Sequence, residues 1–277
     1  MLSLAFSPCP NDTFIFDALV HGKIDLEGLS FDYRLADVET LNRQALAGET
    51  DMIKVSFYAW PELREAYALL NSGCAMGSGN GPLLVAKSHL PDLTSPLSGR
   101  APGRGIRVAL PGEHTTAHLL FSLAFPEIRH KVFMQFSQIE NAVLSGTVDA
   151  GVLIHENRFT YKQKGLKKIM DLGGFWEKKT SGPLPLGGIV ARKRLGRKVI
   201  GKLNRIMLRS VEFAMKHPAE VMPFVKEHAQ EMDEEIMKKH IRLYVNRFTV
   251  DNGESGRRAI RVLAGYAQRH DKYTSGL

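Results

Sequence analysis

Gly146-Thr147-Val148-Asp149-Ala150-Gly151-Val152-Leu153-Ile154-His155-Glu156-Asn157-Arg158 reads as a helix end, a short turn, a buried strand and a histidine where that strand runs out. Ala150 to Ile154 is an unbroken apolar run, the pattern of a strand covered on both faces in an α/β sheet. Ligands of such sheets bind beyond the carboxyl ends of the strands, the place that His155 occupies. The same grammar occurs earlier in the chain. Ala45-Leu46-Ala47-Gly48-Glu49-Thr50-Asp51 lies over Val143-Leu144-Ser145-Gly146-Thr147-Val148-Asp149: helix end, glycine, two residues, then an aspartate opening an apolar strand. Carried on without gaps, the register sets Ser56 opposite Ile154 and Phe57 opposite His155. Pro8 to Thr13 lies over Pro111 to Thr116 at a slightly different offset. Any two αβ units share helix, glycine and strand, but two landmarks recurring in one order point to two similar lobes.

Around this repeat the remaining elements fall into place. Leu2 to Phe6, Leu29 to Leu35, Asp51 to Val55 and Pro82 to Ala86 read as strands of a first copy. A helix is expected from about Thr13 to Val20, capped by Asn11 or Asp12 and stopped by Gly22. Another is expected from Glu39 to Ala47. Gly73 to Gly81 reads as a glycine-rich loop, and the Pro/Ser/Gly-rich stretch Ser88 to Gly105 as a linker. The second copy has strands at Arg107 to Leu110 and Lys131 to Phe136, with helices at Ala117 to Ala124 and Ile139 to Ser145. Pro82 to Lys87 and Gly187 to Arg192 resemble each other and bracket this copy, so they read as two segments crossing between lobes. The expected division is residues 1–87 with 190–277 as a lobe of both chain ends, and 88–189 as an inserted lobe. After Arg192 the pattern is helical: Leu195 to Lys216, Ala219 to Ala229, Glu234 to Tyr244 and Ser255 to Arg269, with no catalytic grouping. The fold class is therefore α/β, with mixed sheets in two lobes, a hinge of two crossing segments and a ligand cleft between the lobes.

Composition narrows the function. A chain of 277 residues with 44% hydrophobic and 24% charged residues builds cores and is not a disordered polymer. No run approaches the roughly 18 apolar residues of a membrane span. Pro8, Cys9 and Pro10 break the apolar start that a secretory signal needs, and two cysteines make no disulfide framework, so the expected location is the cytoplasm. The net charge of +8 is scattered, without interleaved aromatics or a nucleic-acid-binding signature; it fits a small anionic substrate, with no nucleic acid and no membrane insertion. Nothing in the pattern gives an oligomeric state.

Four strand-end loops carry the candidate chemistry: Ser7 to Thr13, Lys54 to Phe57, Pro111 to Thr116 and His155 to Arg158. The first and third open helices, whose N–H groups and dipoles suit an anion. Asn11, Ser56, Thr115 and Thr116 add polar side chains, although Asn11 and Thr115 answer equally well to helix caps. Lys54 stands in an otherwise apolar strand, where a lysine either snorkels to the sheet's end or is held for a purpose. His155 suits a general base at neutral pH, against the alternative of a structural histidine closing the strand. Glu156 is not given the task of orienting it, because neighbours on an extended chain point apart. His114 and His118 have the i, i+4 spacing of a metal pair but lack a third ligand, so no metal is assigned. Cys9 reads as a packing residue.

Ser7-Pro8-Cys9-Pro10-Asn11-Asp12-Thr13-Phe14, Asp37-Val38-Glu39-Thr40-Leu41-Asn42, His114-Thr115-Thr116-Ala117 and Ile154-His155-Glu156-Asn157-Arg158-Phe159-Thr160-Tyr161 resemble motifs of the 1,4-dihydroxy-6-naphthoate synthase family. So do Pro183-Leu184-Pro185-Leu186-Gly187 and Tyr244-Val245-Asn246, and the resemblance runs over nearly the whole chain in order. It implies a periplasmic-binding-protein-like, type II fold used as an enzyme. It also implies the step of the futalosine route to menaquinone that converts cyclic dehypoxanthine futalosine to 1,4-dihydroxy-6-naphthoate, a carbon–carbon lyase reaction without a cofactor. The family's catalytic base falls on His155, and its substrate-binding segments on Lys54-Val55-Ser56 and Thr115-Thr116. Asn157 stands where the family has Ser, and Val55 where Leu is common. Two further readings stand beside this one: a chorismate dehydratase of the same route, and a solute-binding protein that holds a ligand without chemistry.

Overall fold

The structure, a computed structural model, describes residues 1–87, 105–230 and 233–274. The linker expected over Ser88 to Gly105 lies almost wholly outside them. The chain divides into two compact units, Met1–Asn80 with Pro183–Leu277, and Gly81–Gly182.

The first unit opens with β1 (Leu2–Phe6), α1 (Pro10–Val20), β2 (Phe31–Leu35), α2 (Val38–Ala47), β3 (Met52–Ser56), α3 (Trp60–Leu63), β4 (Tyr67–Leu69) and β5 (Ala75–Gly77). The second unit follows with β6 (Leu83–Ala86), β7 (Arg107–Leu110), α4 (Thr116–Ala124), β8 (His130–Phe133), α5 (Phe136–Leu144), β9 (Ala150–Leu153), α6 (Asn157–Thr160), β10 (Lys167–Asp171) and α7 (Leu172–Thr180). The chain then returns to the first unit with β11 (Leu184–Arg192), α8 (Gly196–Lys216), α9 (Pro218–His228), α10 (Glu234–Tyr244), α11 (Arg247–Val250) and α12 (Gly253–Thr274).

Each unit is built on one mixed sheet. In the first the order is β2-β1-β3-β11-β4, with β5 also paired to β11; in the second it is β8-β7-β9-β6-β10. Three parallel strands in each are followed by an antiparallel fourth, β11 against β3 and β6 against β9. A fifth is antiparallel to that fourth, β4 on β11 and β10 on β6. Apart from β5, the two sheets therefore share order and strand direction. The unit boundaries lie at Asn80/Gly81 and Gly182/Pro183, not at 87/88 and 189/190. The reason is hydrogen bonding: β6 is held between β9 and β10, and all of β11 belongs to the other sheet.

The repeated landmarks do matching work. Gly48 and Gly146 adopt the left-handed conformation, φ 69° and 77°, that ends a helix without a Cβ penalty. Asp51 accepts from the Ser3 N–H and hydroxyl at 3.2 Å, and Asp149 accepts from the Arg107 N–H at 2.8 Å. Each aspartate thus pins the start of the third strand to the start of the first. Burial works to raise the Asp51 carboxyl, but donation from Ser3 and the Arg194 guanidinium outweighs it and holds the group below its usual value of 3.8.

Strand alternation sorts the first unit's core onto two faces. Leu4, Phe6, Met52, Ile189 and Ala191 pack with Phe14, Phe16 and Leu19 of α1 and with residues of α8 and α9. Ala5, Ile53, Val55 and Val190 pack with Leu41 and Ala45 of α2 on the other face. Helix α8 buries Leu203, Ile206, Met207, Ser210, Val211 and Ala214, one stripe at helical spacing. In the second unit Leu83, Val85, Ala109, Ile139, Val143 and Leu153 form the core. There α5 sits directly on β9: a Cβ at Gly151 would run into Ile139 Cγ2 and lie 2.9 Å from Val143 Cγ2. Gly151→Ala is expected to destabilise this unit by about 1–3 kcal/mol through overpacking. Denaturant unfolding measures it, and an unchanged midpoint would contradict the close contact.

Several local expectations are corrected. Helix α1 starts at Pro10 with Cys9 as its N-cap, because proline's fixed φ suits the first helical position; Asn11 and Asp12 lie inside its first turn. The Gly73 to Gly81 loop contains the buried strand β5. Strand β8 ends at Phe133 and α5 begins at Phe136, so the strand expected to reach Phe136 is shorter. The short elements β4, α6, β10 and α11 lack any span long enough to show a period.

Candidate functional site

In the first unit β1 and β3 are parallel neighbours, so the loops after both leave the same sheet edge. Lys54 shares the α1 face of β3 with Met52, and its side chain is 8% exposed. Its Nζ donates to Asp12 Oδ1 at 2.7 Å and to the Gly73 carbonyl at 3.2 Å. Two of the ammonium's three N–H groups are thus engaged and one remains to give. Asp12 is the hub. Its Oδ2 accepts from the Ser7 hydroxyl at 2.7 Å, and its Oδ1 also accepts from Asn11 Nδ2 at 2.8 Å. Asn11 is therefore not a cap: its amide bridges Asp12 to His240 Nε2, 2.8 Å from Asn11 Oδ1.

Two residues on, Ser56 ends β3 on the same face as Lys54. Its N–H donates to Asn42 Oδ1 at 2.9 Å and its hydroxyl accepts from Asn42 Nδ2 at 3.2 Å. That bidentate clasp holds Ser56 while its hydroxyl keeps a proton to donate. Val55 points the other way, 1% exposed in the core against α2. A substrate could meet only its backbone.

In the second unit β7 and β9 are parallel neighbours, and their following loops likewise share an edge. Thr115 is the N-cap of α4: its hydroxyl donates to the Gly112 carbonyl at 2.8 Å and accepts from the His118 N–H at 3.3 Å. Thr116, 3% exposed, opens the helix. His118 Nδ1 lies 2.7 Å from the Glu113 carbonyl and its Nε2 is 3.2 Å from Lys131 Nζ, so both ring nitrogens are occupied by protein groups. Burial of Lys131 holds its ammonium below the usual lysine range.

His155 sits two residues past the end of β9 with φ 55°, a left-handed backbone uncommon outside glycine. Its ring meets Phe136 edge-on, centroids 4.8 Å apart. The extended chain assumed between His155 and Glu156 is absent: Glu156 follows in helical conformation as the entry to α6. This bend brings a carboxylate oxygen of Glu156 to within 4.8 Å of a ring nitrogen of His155. Glu156 is buried at 3% exposure.

The structure therefore gathers Asn11, Lys54 and Ser56 at one sheet edge and Thr115, Thr116 and His155 at the other sheet's equivalent edge. Sequence reasoning missed Asp12 as a hub, Asn42 as the clasp on Ser56, and His240. Asp12 had a signal, an acid beside Asn11 at a strand end. His240, on a helix 229 residues from Asn11, had none.

A family model described as menaquinone biosynthesis matches residues 2–269. A protein of Thermus thermophilus named 1,4-dihydroxy-6-naphtoate synthase is 45% identical over 267 residues, 96% of this chain and 94% of its own. One of the same name from Streptomyces coelicolor is 44% identical, covering 95% of this chain and 91% of its own. A crystal structure of an Archaeoglobus fulgidus protein matches with a TM-score of 0.88 at 35% identity, over 98% of this chain and 97% of that one. The periplasmic aliphatic sulphonate binding protein of Escherichia coli matches with a TM-score of 0.64 at 10% identity, over 99% of this chain and 87% of its own. That last likeness concerns the fold alone, which is the periplasmic-binding-protein-like α/β architecture expected above.

Proposed function

Because this chain belongs to the menaquinone biosynthesis family, we propose that it is a 1,4-dihydroxy-6-naphthoate synthase, a carbon–carbon lyase acting on cyclic dehypoxanthine futalosine. The observation that carries this reading is 45% identity across 96% of the chain to a protein of that name.

His155 is the proposed general base. Its place past a strand end suits the role, and an imidazole titrates near the pH at which proton transfer is most useful. A left-handed non-glycine backbone at that position is strain of the kind that active sites retain. In the proposed step His155 takes the proton of a hydroxyl on the sugar-derived ring. The electrons of that O–H bond form a carbonyl as a carbon–carbon bond breaks. The pair of the broken bond passes into the conjugated ring system, which takes up a proton, and loss of the small fragment leaves the remaining ring aromatic. Aromatisation supplies the driving force.

Lys54 donates its remaining N–H to the substrate carboxylate, and Ser56 its hydroxyl proton to a substrate oxygen. Asn11 and the backbone of Val55 border them. The Thr115 hydroxyl is spent on Gly112 and His118, so this residue serves by shaping the start of α4, whose first turn, opened by Thr116, offers backbone N–H groups suited to an anion. The net charge of +8 favours approach of an acidic metabolite. No helix among the described residues is long and apolar enough to cross a membrane, and both cysteines are buried and outside any disulfide. A cytoplasmic location is part of the proposal.

Incubation with cyclic dehypoxanthine futalosine and mass analysis of the products tests the reading. The expected result is 1,4-dihydroxy-6-naphthoate plus the released fragment. Substrate recovered unchanged would favour a solute binder, and turnover of chorismate instead would favour the dehydratase.

A further inference from the structure

The helices after Arg192 show no catalytic grouping in sequence, yet two of their residues hold both acceptors of Lys54. One acceptor is Asp12. Its neighbour Asn11 donates Nδ2 to Asp12 at 2.8 Å, which turns Asn11 Oδ1 toward His240 Nε2 at 2.8 Å. An amide oxygen only accepts, so His240 Nε2 is the donor and carries a proton. His240 is 0% exposed and packs its ring against Tyr244, centroids 4.5 Å apart. The other acceptor is the Gly73 carbonyl, and the Gly73 N–H donates to the Thr249 carbonyl at 2.7 Å. The same stretch is clamped three more times: Thr249 Oγ1 to the Cys74 carbonyl at 3.0 Å, Asn246 Nδ2 to the Met76 carbonyl at 2.8 Å, and the Tyr244 hydroxyl to the Asn80 carbonyl at 3.1 Å. Gly73 itself has φ 90°, and a Cβ there would collide with Ile189.

We infer that His240 is a positioning residue for Lys54 and Asn11: through the Asn11 amide it orients Asp12, while the α10–α11 segment holds Gly73, so both anchors of the lysine are set by one C-terminal element. Without the Nε2 donor Asn11 Oδ1 is a buried acceptor that has lost its partner, and the amide, still tied to Asp12 through Nδ2, is no longer held from its far side. The amide and the Asp12 carboxylate then shift together, away from the position that meets Lys54. The inference rests on the reading of Lys54 and Asn11 as substrate-binding groups.

The test compares KM and kcat for His240→Gln, His240→Asn and His240→Leu with cyclic dehypoxanthine futalosine. A glutamine amide nitrogen reaches the place of imidazole Nε2, whereas an asparagine amide falls short of it. Loss of a buried hydrogen bond next to a charge is expected to raise KM about 10-fold in the Leu and Asn variants, with kcat within about twofold and the Gln variant close to the parent. In an Asn11→Leu background His240→Leu should add nothing further. Equal effects of Gln, Asn and Leu, or a His240→Leu effect that persists beside Asn11→Leu, would overturn the inference while leaving the substrate reading intact. Lys54→Met separates the two: an unchanged KM in that variant removes the substrate role of Lys54, and the inference with it.

Discussion

Replacing His155 with Asn is expected to lower kcat by roughly 10²–10⁴-fold, the usual worth of a general base, while substrate binding stays measurable. Asparagine is the substitution of choice because residue 155 has φ 55°, and Asn is among the non-glycine residues that tolerate the left-handed region best. The backbone then keeps its bend and α6 its start, so stability should fall by about 1 kcal/mol at most, from lost contact with Phe136. Single-turnover kinetics with a binding isotherm on the same sample separate the two quantities. Near-normal turnover would remove His155 from the chemistry. Loss of binding together with turnover would instead make it a structural residue of the β9–α6 bend.

Asp12→Ala is expected to destabilise the first unit by about 3–5 kcal/mol, because it strands a buried ammonium. The two partners are 8% and 3% exposed, so water cannot replace the lost carboxylate. Ser7 and Asn11 lose the acceptor of their donated protons at the same time. Adding Lys54→Met should restore part of the loss, since the uncompensated charge is then gone and the methionine stem fills the same space. Urea unfolding of the parent, both single variants and the double variant gives the coupling directly. A loss below about 1 kcal/mol for Asp12→Ala would mean that the pair is solvated and contributes as little as a surface ion pair. Catalysis should also fail in Asp12→Ala, as the hub that aims Lys54 and Asn11 is removed.

How legible these sites were depends on the distance over which each is made. Ser56 and Lys54 were visible as polar residues closing an apolar strand, and His155 as the histidine at the end of another. Their partners were not. Asn42 is 14 residues from Ser56, Asp12 is 42 from Lys54, and His240 is 229 from Asn11, and no local period relates such pairs. Glu156 was set aside on the assumption of an extended chain, and only the observed left-handed turn at His155 shows that the assumption fails.

The sequence by itself determined the elements governed by neighbouring residues. Gly48 and Gly146 end their helices because φ of 69° and 77° suits glycine, and the apolar runs after Asp51 and Asp149 must be buried strands. From these alone the repeat, the α/β class and the strand-end placement of His155 follow. Tertiary structure decided which sheet receives β6 and which receives β11, and so where the chain divides. It also decided what Lys54 is for locally. This buried lysine does not snorkel to water; a carboxylate and a carbonyl meet its ammonium, and those came from α1 and from Gly73, fastened by helices near the other end of the chain. Hydrogen bonds act over about 3 Å in space and are indifferent to separation along the chain.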